Sequence, residues 1–316
     1  KNWSLQRNTN VSMSGGNDAV QTYVGLSTRY QDGFFKNSGS NYKQPDLKAN
    51  ITGKINKNIT LDVDLTGRIE QGSFLPVGSS RLFYELQSAS PLLHGRWPNG
   101  LPGEPLDLTT QHNPVVQSTP EAGYKLRENY IFNLTSKLDV KIPWINGLKW
   151  TTTAAIDRGL RYSKDLNKRY NLYTWDKSTV GADGLPVLVK GEYGGEINLS
   201  QQFDLDKSYM INSLLNYQRT FNEKHNVGFL VGVEAFENTM NWFSAMRKNN
   251  TLSYPEELNF GNDNQQFANG SNPGIDRWMN YLGRVNYAFE QKYMLEFVWR
   301  YQGSSKFYEK NRYGFF

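Results

Sequence analysis

The side chains best suited to catalysis are few in this sequence, and their spacing does not indicate a catalytic site. The only histidines are His94, His112 and His225, and no two of them stand at the spacing of a metal-ligating pair. Cysteine is absent, which excludes disulfides, thiol catalysis and Cys-ligated zinc. The sequence also lacks the Gly-x-Ser-x-Gly pattern of a serine nucleophile elbow. We therefore expect that the protein is not an enzyme.

Two oxygen-rich stretches, 176–184 and 261–276, have the residue types that bind Ca²⁺. Neither has the spacing of an EF-hand loop. Asn, Asp, Gly and Ser are also the residues that form turns, and this is their more common role. We expect no metal and no other cofactor.

Three tryptophans, Trp97, Trp175 and Trp242, fall in or beside segments predicted to be long loops. An indole ring in a polar cavity can stack on the apolar face of a sugar, so these residues are candidate substrate-binding residues. The alternative is that they pack within loops or belong to a belt of aromatic residues at a membrane interface.

Composition excludes several classes of protein. The net charge is +5, but the basic residues are scattered, whereas a nucleic-acid-binding protein concentrates them on one face. No apolar run approaches the ~20 residues of a membrane-spanning helix, and the mean hydropathy is −0.66. The residues that begin the sequence, KNWSLQRNTN, lack the apolar core of a signal peptide. Aromatic residues make up 14% of the chain, which is typical of β-rich proteins.

Alternation of apolar and polar residues is the dominant pattern. In 226–235, Val227, Phe229, Val231 and Val233 fall on one face, and the other face has Asn226, Gly228, Gly232 and Glu234. Similar runs of roughly 10–13 residues recur along the chain, whereas strands of soluble proteins average about 5–6. A strand that crosses a bilayer needs about 9–11 residues. The pattern therefore predicts about twelve transmembrane strands with Val227, Phe229, Val231 and Val233 facing lipid and the polar set facing the lumen.

The connections alternate between tight turns and long segments, as in outer-membrane barrels. Tight turns are predicted around residues 15–17, 56–58, 146–147, 222–224 and 290–291. The long segments are 31–46, 71–126 and 239–276, and residues 80–90 are predicted to form a short helix. Strands are predicted near 167–175 and 191–203, with DKSTVGADGLPVLVKG (176–191) as a long connection on the short-turn side. The start of a strand at 313–316 indicates that the barrel continues beyond this piece.

Three motifs resemble one family. The stretch SMSGGNDAVQTYVGLSTRYQDGFFKNS (12–38) resembles the start of the barrel in SusC/RagA-type TonB-dependent transporters. The stretch 216–234 is similar to the family's strand–turn–strand around a Phe…His-Asn pair, and RYQGSSKFYEKNRYGFF (300–316) to a motif well inside the barrel. The last motif departs from the family at Gln302, Lys306 and Tyr308-Glu309.

The resemblance implies that residues 1–316 are an all-β segment of a 22-stranded, plugged antiparallel transmembrane β-barrel. The plug domain and the C-terminal strands lie outside this chain. The implied function is import of a glycan or oligopeptide nutrient across a Gram-negative outer membrane. Implied partners are a SusD-like surface lipoprotein, outer-membrane lipid and the TonB complex, which supplies energy through segments not in this chain. Segments 71–126 and 239–276 are then expected on the extracellular side, at the mouth of the substrate cavity or at the lipoprotein docking surface. The alternative is a soluble or surface β-rich carbohydrate-binding or adhesive protein.

Overall fold

The computed structural model describes residues 3–105, 112–249, 255–272 and 274–316. Within them the chain is dominated by a twelve-stranded antiparallel sheet, in agreement with the predicted fold class. The strands of this sheet, in chain order, are β1 (Gln6–Gly16), β2 (Val20–Asp32), β3 (Asn41–Lys54), β4 (Ile59–Phe74), β5 (Gly123–Lys141), β6 (Leu148–Asn167), β9 (Asn198–Phe221), β10 (His225–Lys248), β11 (Gln266–Ser271), β12 (Ile275–Phe289), β13 (Tyr293–Ser304) and β14 (Tyr313–Phe315). A separate hairpin contains β7 (Tyr170–Val180) and β8 (Pro186–Tyr193).

Neighbours in the sheet follow chain order, except that β6 pairs directly with β9. Both β11 and β12 pair with β10, so β11 continues the β12 edge toward the loops. The sheet is open, with β1 and β14 at its edges. Up-and-down order of this kind is the arrangement of a transmembrane barrel wall.

The tight turns are confirmed at one end of the sheet. Asn17 Oδ1 accepts hydrogen bonds from the backbone N–H groups of Ala19 and Val20, which fixes the β1–β2 turn. Asn222 and Glu223 adopt φ angles of 50° and 59°, as two-residue hairpin turns require at both central positions.

The predicted course of the chain between 160 and 207 is wrong. Strand β6 continues to Asn167, which lies opposite Asn198 of β9, so the two long strands stay paired throughout. Strands β7 and β8 pair with each other outside the main sheet. The insert 168–197 therefore leaves the sheet on the long-loop side, not on the short-turn side. Alternation identified the strands but not their partners, because a half-exposed hairpin has the same period as a barrel strand.

The long connections lie at the opposite end from the tight turns, but their bounds differ from the prediction. The first spans only 33–40. The third is narrower than the predicted 239–276 and spans 249–265, because β10 extends to Lys248 and β11 begins at Gln266. The second spans 75–122 and contains helix α1 (Ser79–Ser88), close to the predicted 80–90, and the short helix α2 (Pro114–Gln117). Residues 106–111 of the second segment, and 250–254 and 273 of the third, lie outside the described residues.

A small apolar core joins the 75–122 connection to the β7–β8 hairpin. Val116 and Ala122 pack against Tyr170 and Leu172, with Tyr193 beside them. Trp97 Nε1 donates a hydrogen bond of 2.7 Å to the Tyr173 carbonyl. These contacts make the two excursions one packed unit above the sheet.

No helix among the described residues is long and apolar enough to span a membrane.

Candidate functional site

The two faces of the sheet separate as the alternation predicts. Pairing of β10 with β9 is unbroken from His225 to Lys248, so alternate side chains keep to one face along the whole strand. The face of Val231 exposes large apolar side chains, including Phe229 (41%), Tyr281 (41%) and Phe297 (59%). The face of Glu234 has polar side chains that contact one another across strands. We call the second face the polar face.

Glu234 is the centre of one polar-face network. Its Oε1 accepts a hydrogen bond of 2.9 Å from Asn212 of β9, and its Oε2 accepts one of 3.2 Å from Asn280 of β12. An Arg300 guanidinium nitrogen lies 3.4 Å from the same Oε2. Asn280 is fully buried. One carboxylate therefore connects four consecutive strands of the wall.

Three further carboxylates have the same role on neighbouring strands. Asp46 accepts hydrogen bonds from Arg68 Nε at 2.5 Å and from Ser27 Oγ at 3.1 Å. Asp157 accepts from Asn133 and Ser208 at 2.6 and 2.9 Å. Near the short turns, Asp139 lies between the ammonium groups of Lys137 and Lys149, at 3.1 and 3.0 Å.

In these networks, charged and polar side chains of the polar face are held together by hydrogen bonds and ion pairs between neighbouring strands. Charged groups tolerate this arrangement where water reaches one side, because partly exposed ion pairs keep part of their hydration. A sheet with such a face opposite an exposed apolar face is suited to separate water from lipid.

A cleft of about 590 Å³ opens at the long-loop end of β2, β3 and β4. Arg29, Tyr42, Phe74 and Lys125 line it from polar-face positions of the strands. Phe34, in the 33–40 connection, adds a further lining residue. Two cations beside aromatic rings can bind carboxylates and stack on sugars or aromatic side chains.

The roof of this cleft is joined to helix α1. The ring centroids of Phe34 and Phe35 are 4.6 Å apart, and Phe35 lies 6.1 Å from Phe83 of α1. Sequence reasoning missed the cleft because its residues come from strand ends that were assigned to loops. The signal that could have found it is the pair Phe34–Phe35 beside Arg29, a polar-face cation.

Trp242 lies on the polar face, near the loop end of β10. It has the same parity as Glu234, is half-buried and lies opposite Asp204 of β9. Further along the same face, Phe236 stacks on Trp278 of β12, with 5.3 Å between ring centroids. Trp242 is therefore placed where a molecule in the lumen could reach it. Sequence reasoning missed Phe236 and Trp278. Phe236 is two residues from Glu234 and Trp278 is two residues from Asn280, and this even spacing places both rings on the polar face.

Trp97 and Trp175 are placed differently from Trp242. Trp97 is 7% exposed, stacks on His94 at 4.3 Å and uses its N–H on Tyr173. Trp175 is half-buried in β7, and its Nε1 donates a hydrogen bond of 2.7 Å to the Thr179 carbonyl. Both indole N–H groups are occupied within the loops. The structure therefore does not bring the three tryptophans to one site.

The turn that follows Trp175 is held by Asp176. Its carboxylate accepts hydrogen bonds from the Thr179 hydroxyl and from the backbone N–H groups of Thr179 and Ser178, at 2.7 and 2.9 Å for the backbone donors. These bonds, led by that of the Thr179 hydroxyl, hold the pKa of Asp176 far below its ordinary value. Turn chemistry thus accounts for an acidic residue of the stretch 176–184.

The third long connection is fixed by Glu256. Its Oε1 lies 2.7 Å from Lys168 Nζ, its Oε2 accepts a hydrogen bond from Tyr124, and its backbone carbonyl accepts one of 2.9 Å from Lys164. Burial acts to raise the pKa of Glu256, but the hydrogen bonds from Lys168 and Tyr124 outweigh it and the pKa is lowered. The loop after β10 is thus tied to the ends of β5 and β6.

The histidines have structural contacts in three separate places. His94 stacks on Trp97, His112 Nδ1 lies 3.3 Å from Glu85 Oε1, and His225 Nδ1 lies 2.8 Å from the Tyr287 hydroxyl beside a tight turn. Within the described ranges, no three His, Asp or Glu side chains are grouped so as to hold a metal ion.

Comparison with known proteins identifies relatives of one kind. TonB-dependent receptor P39 of Formosa agariphila is 23% identical over 325 residues, which cover all of this chain and 28% of the relative. TonB-dependent receptor P26 of the same organism is 25% identical over 98% of this chain and 29% of its own length. The chain thus spans less than a third of these relatives. No family model matches it.

Solved structures share the fold. The RagAB peptide importer in its closed-closed state superposes with a TM-score of 0.70 at 17% identity, over 98% of this chain and 33% of that one. The outer-membrane transporter YddB of Escherichia coli superposes with a TM-score of 0.54 at 11% identity, over 96% of this chain and 34% of that one. At these identities the matches establish the barrel fold. The curated relatives are receptors rather than enzymes, in agreement with the sequence-based expectation.

Proposed function

We propose that the chain is a barrel segment of a SusC/RagA-type TonB-dependent transporter of a Gram-negative outer membrane, and that it functions in the energised import of a glycan or oligopeptide nutrient. Its similarity to TonB-dependent receptors and to the RagAB fold supports this proposal. The observation that carries this proposal is the division of the sheet into a charge-paired polar face and an exposed apolar face. In a closed barrel these faces become the lumen wall and the lipid-facing surface. Val231 then faces lipid, and Glu234 faces the lumen.

The rest of the machinery belongs to parts of the protein outside 1–316. In this proposal a plug domain and further strands complete a 22-stranded barrel, and a TonB-contacting segment transmits the energy. The connections 33–40, 75–122, 168–197 and 255–265 lie on the extracellular side, since they are opposite the tight turns. Their packed unit, with the Glu256 contacts, supplies a surface for a SusD-like lipoprotein.

The substrate contacts are proposed at the lumen side of this unit. Arg29 and Lys125 in the cleft suit a carboxylate or a polar sugar, and Phe34 suits stacking. Trp242 lies on the same polar face, near the loop end of β10, and is a second proposed contact. Trp97 and Trp175 support it through the loops that they hold, with the Trp175 ring as the more accessible of the two.

The test uses the full-length transporter in cells that depend on it. The double variant Arg29→Gln/Phe74→Ala should reduce uptake of the imported class of molecule, measured separately with labelled oligopeptides and labelled glycans. A matched control is Asn216→Ala, a polar-face change near the short turns. Uptake of both classes at the wild-type rate by a normally assembled double variant would remove the cleft from the proposal.

The soluble β-rich alternative lacks a supporting observation. It requires a cover for the apolar face, whose side chains at Tyr293, Leu295 and Phe297 are 72%, 69% and 59% exposed. The open edges also present unpaired backbone groups. We expect residues 1–316 alone to aggregate in detergent-free buffer. A monodisperse, cooperatively melting monomer would favour the soluble alternative.

A further inference from the structure

The apolar face ends toward the long loops in a row of charged side chains. On β10 and β12 these are Glu237 and Arg277, which lie opposite each other and form an ion pair of 2.8 Å. On β6 and β9 they are Arg158 and Lys207. Most residues closer to the short turns on this face are apolar, as at Ile156 and Ile211, so the row marks the border of the apolar band.

Arg158 and Lys207 face each other directly across β6 and β9. Like charges in this position repel and destabilise a sheet unless an anion lies between them. The Arg158 guanidinium carbon lies 4.3 Å from the ring centroid of Tyr209, and its N–H groups donate to the Tyr209 hydroxyl and the Asp157 carbonyl. Among the described residues, no carboxylate forms an ion pair with either cation. The balancing charge that Glu237 supplies to Arg277 is thus missing here.

One carboxylate of the same face, Glu237, lies opposite Tyr209, but its ion pair is with Arg277. The carboxylates adjacent in sequence to the two cations point to the other face of the sheet. Asp157 accepts hydrogen bonds from Asn133 and Ser208, and Asp206 pairs with Arg161 at 3.0 Å, all on the polar face. Because adjacent side chains of a strand alternate, these groups are separated from the two cations by the sheet itself.

The two cations lie between the apolar band, on the short-turn side, and a row of aromatic side chains on the loop side. Toward the short turns, Ile211 is 52% exposed. Toward the loops, Tyr162, Phe203 and Phe243 form a row across β6, β9 and β10, with ring centroids 4.8 and 5.1 Å apart. Phe243 is 59% exposed. An occupant of this place therefore has an anionic group next to an apolar body.

We propose that Arg158, Lys207 and Tyr209 bind the phosphate group of a phosphorylated lipid of the outer leaflet. Side chains directly opposite each other in a sheet are about 5 Å apart at Cβ, so one phosphate can contact both cations. The planar guanidinium matches two phosphate oxygens, and the Tyr209 hydroxyl holds it in place. The acyl chains then lie along the apolar band beside Ile211. This inference goes beyond import and depends only on the outward orientation of the apolar face.

The experiment measures lipid retained by the full-length transporter after purification in detergent. Arg158→Gln/Lys207→Gln should carry roughly tenfold less phosphorylated lipid than the wild type by mass spectrometry, since charge-assisted hydrogen bonds are lost. The matched control is Arg219→Gln, another outward arginine over an aromatic ring, 4.9 Å from the Phe221 centroid at the short-turn border. It should retain the lipid.

A second variant protects the test against failure to assemble. Lys207→Glu supplies the missing carboxylate opposite Arg158, so the barrel should assemble at least as well as the wild type while losing the phosphorylated lipid. Thermal unfolding is followed with added lipid A, phosphatidylcholine or inorganic phosphate. Lipid A should raise the unfolding temperature of the wild type most, and that of Lys207→Glu least.

Two outcomes overturn the inference. In the first, Lys207→Glu retains as much phosphorylated lipid as the wild type. In the second, inorganic phosphate stabilises the wild type as strongly as lipid A, which would identify a free-anion site. Nutrient uptake is measured in parallel, and its loss or retention tests the proposed import separately.

Discussion

Lys168 and Glu256 form an ion pair, with 2.7 Å between Nζ and Oε1, that joins two long connections from different parts of the chain. Lys168 begins the insert between β6 and β9, and Glu256 belongs to the loop that follows β10. Tyr124, at the start of β5, donates to the same carboxylate. The contact therefore couples three segments that surround the loop end of the barrel wall.

Replacing Glu256 should release the loop after β10. Glu256→Gln removes the charge that Lys168 and Tyr124 stabilise, and we expect local stability to fall by about 1–2 kcal/mol. Limited proteolysis or hydrogen exchange of residues 255–261 in the full-length transporter measures it. Glu257→Gln is the matched control, and an equal effect of both variants would contradict a specific role for Glu256.

The same contact predicts a pH dependence. Since the pKa of Glu256 is lowered from its ordinary value of 4.5, its ionised contacts stabilise the folded loop above about pH 4.5. This stabilisation is lost as the pH falls through the lowered folded-state pKa. The protection of 255–261 against hydrogen exchange, relative to the intrinsic rate at each pH, should therefore fall in acid in the wild type but change less in Glu256→Gln. Wild-type protection that stays constant below the folded-state pKa would show that ionisation does not matter.

Trp97 should act through loop structure. Trp97→Phe removes the N–H that donates to the Tyr173 carbonyl but keeps an aromatic ring beside His94. We expect a loss of about 1 kcal/mol in the coupling of the 75–122 connection to the β7–β8 hairpin, measured by hydrogen exchange of β7. Trp242→Ala should instead weaken substrate binding with little change in that exchange. If Trp97→Phe weakened substrate binding and Trp242→Ala instead increased the exchange of β7, the two assignments would be wrong.

Much of the wall could be predicted from sequence, because each barrel strand has one apolar and one polar side. The turn residues also fixed which strands form hairpins, as at Asn222 and Glu223. The insert 168–197 could not be placed in this way. Its strands alternate as barrel strands do, and only the pairing of Asn167 with Asn198 shows that they lie outside the sheet.

The candidate site was harder to predict than the wall. Strands β9 and β10 have 24 residues each, well beyond the roughly 9–11 that cross a bilayer, so strand ends were assigned to loops. In the same way, the end of the 16-residue strand β4 was assigned to the loop 71–126, which concealed the polar-face position of Phe74. The burial of Trp97 was also hidden, because its partner Tyr173 lies 76 positions away.

Glu234 should be needed for wall stability. Glu234→Ala removes the acceptor for Asn212, Asn280 and Arg300. Since Asn280 is fully buried, its side-chain donor is left without a partner, at a cost of about 1–3 kcal/mol. Glu234→Gln keeps one acceptor oxygen and should cost less. Urea midpoints of the refolded full-length barrel measure both, and equal midpoints for alanine and glutamine would contradict the network.

The orientation of the two faces is tested by arginine scanning. Val231 lies on the apolar face midway between His225, at the turn, and Glu237, at the charged border. If this face contacts lipid, Val231→Arg places a charge near the bilayer midplane and should cost about 2–4 kcal/mol. The measurement is the free energy of unfolding of the full-length barrel from lipid vesicles.

The matched control for Val231→Arg is Asn241→Arg, on the same strand and face but beyond the charged border. There the guanidinium reaches headgroups or water, and the cost should fall to about 0–1 kcal/mol. Glu234→Arg is unsuitable as a control, because it also destroys the hydrogen bonds to Asn212 and Asn280. Equal costs at Val231 and Asn241 would mean that the apolar face does not contact the hydrocarbon core. The depth dependence along one strand thus separates a lipid-facing surface from a merely exposed one.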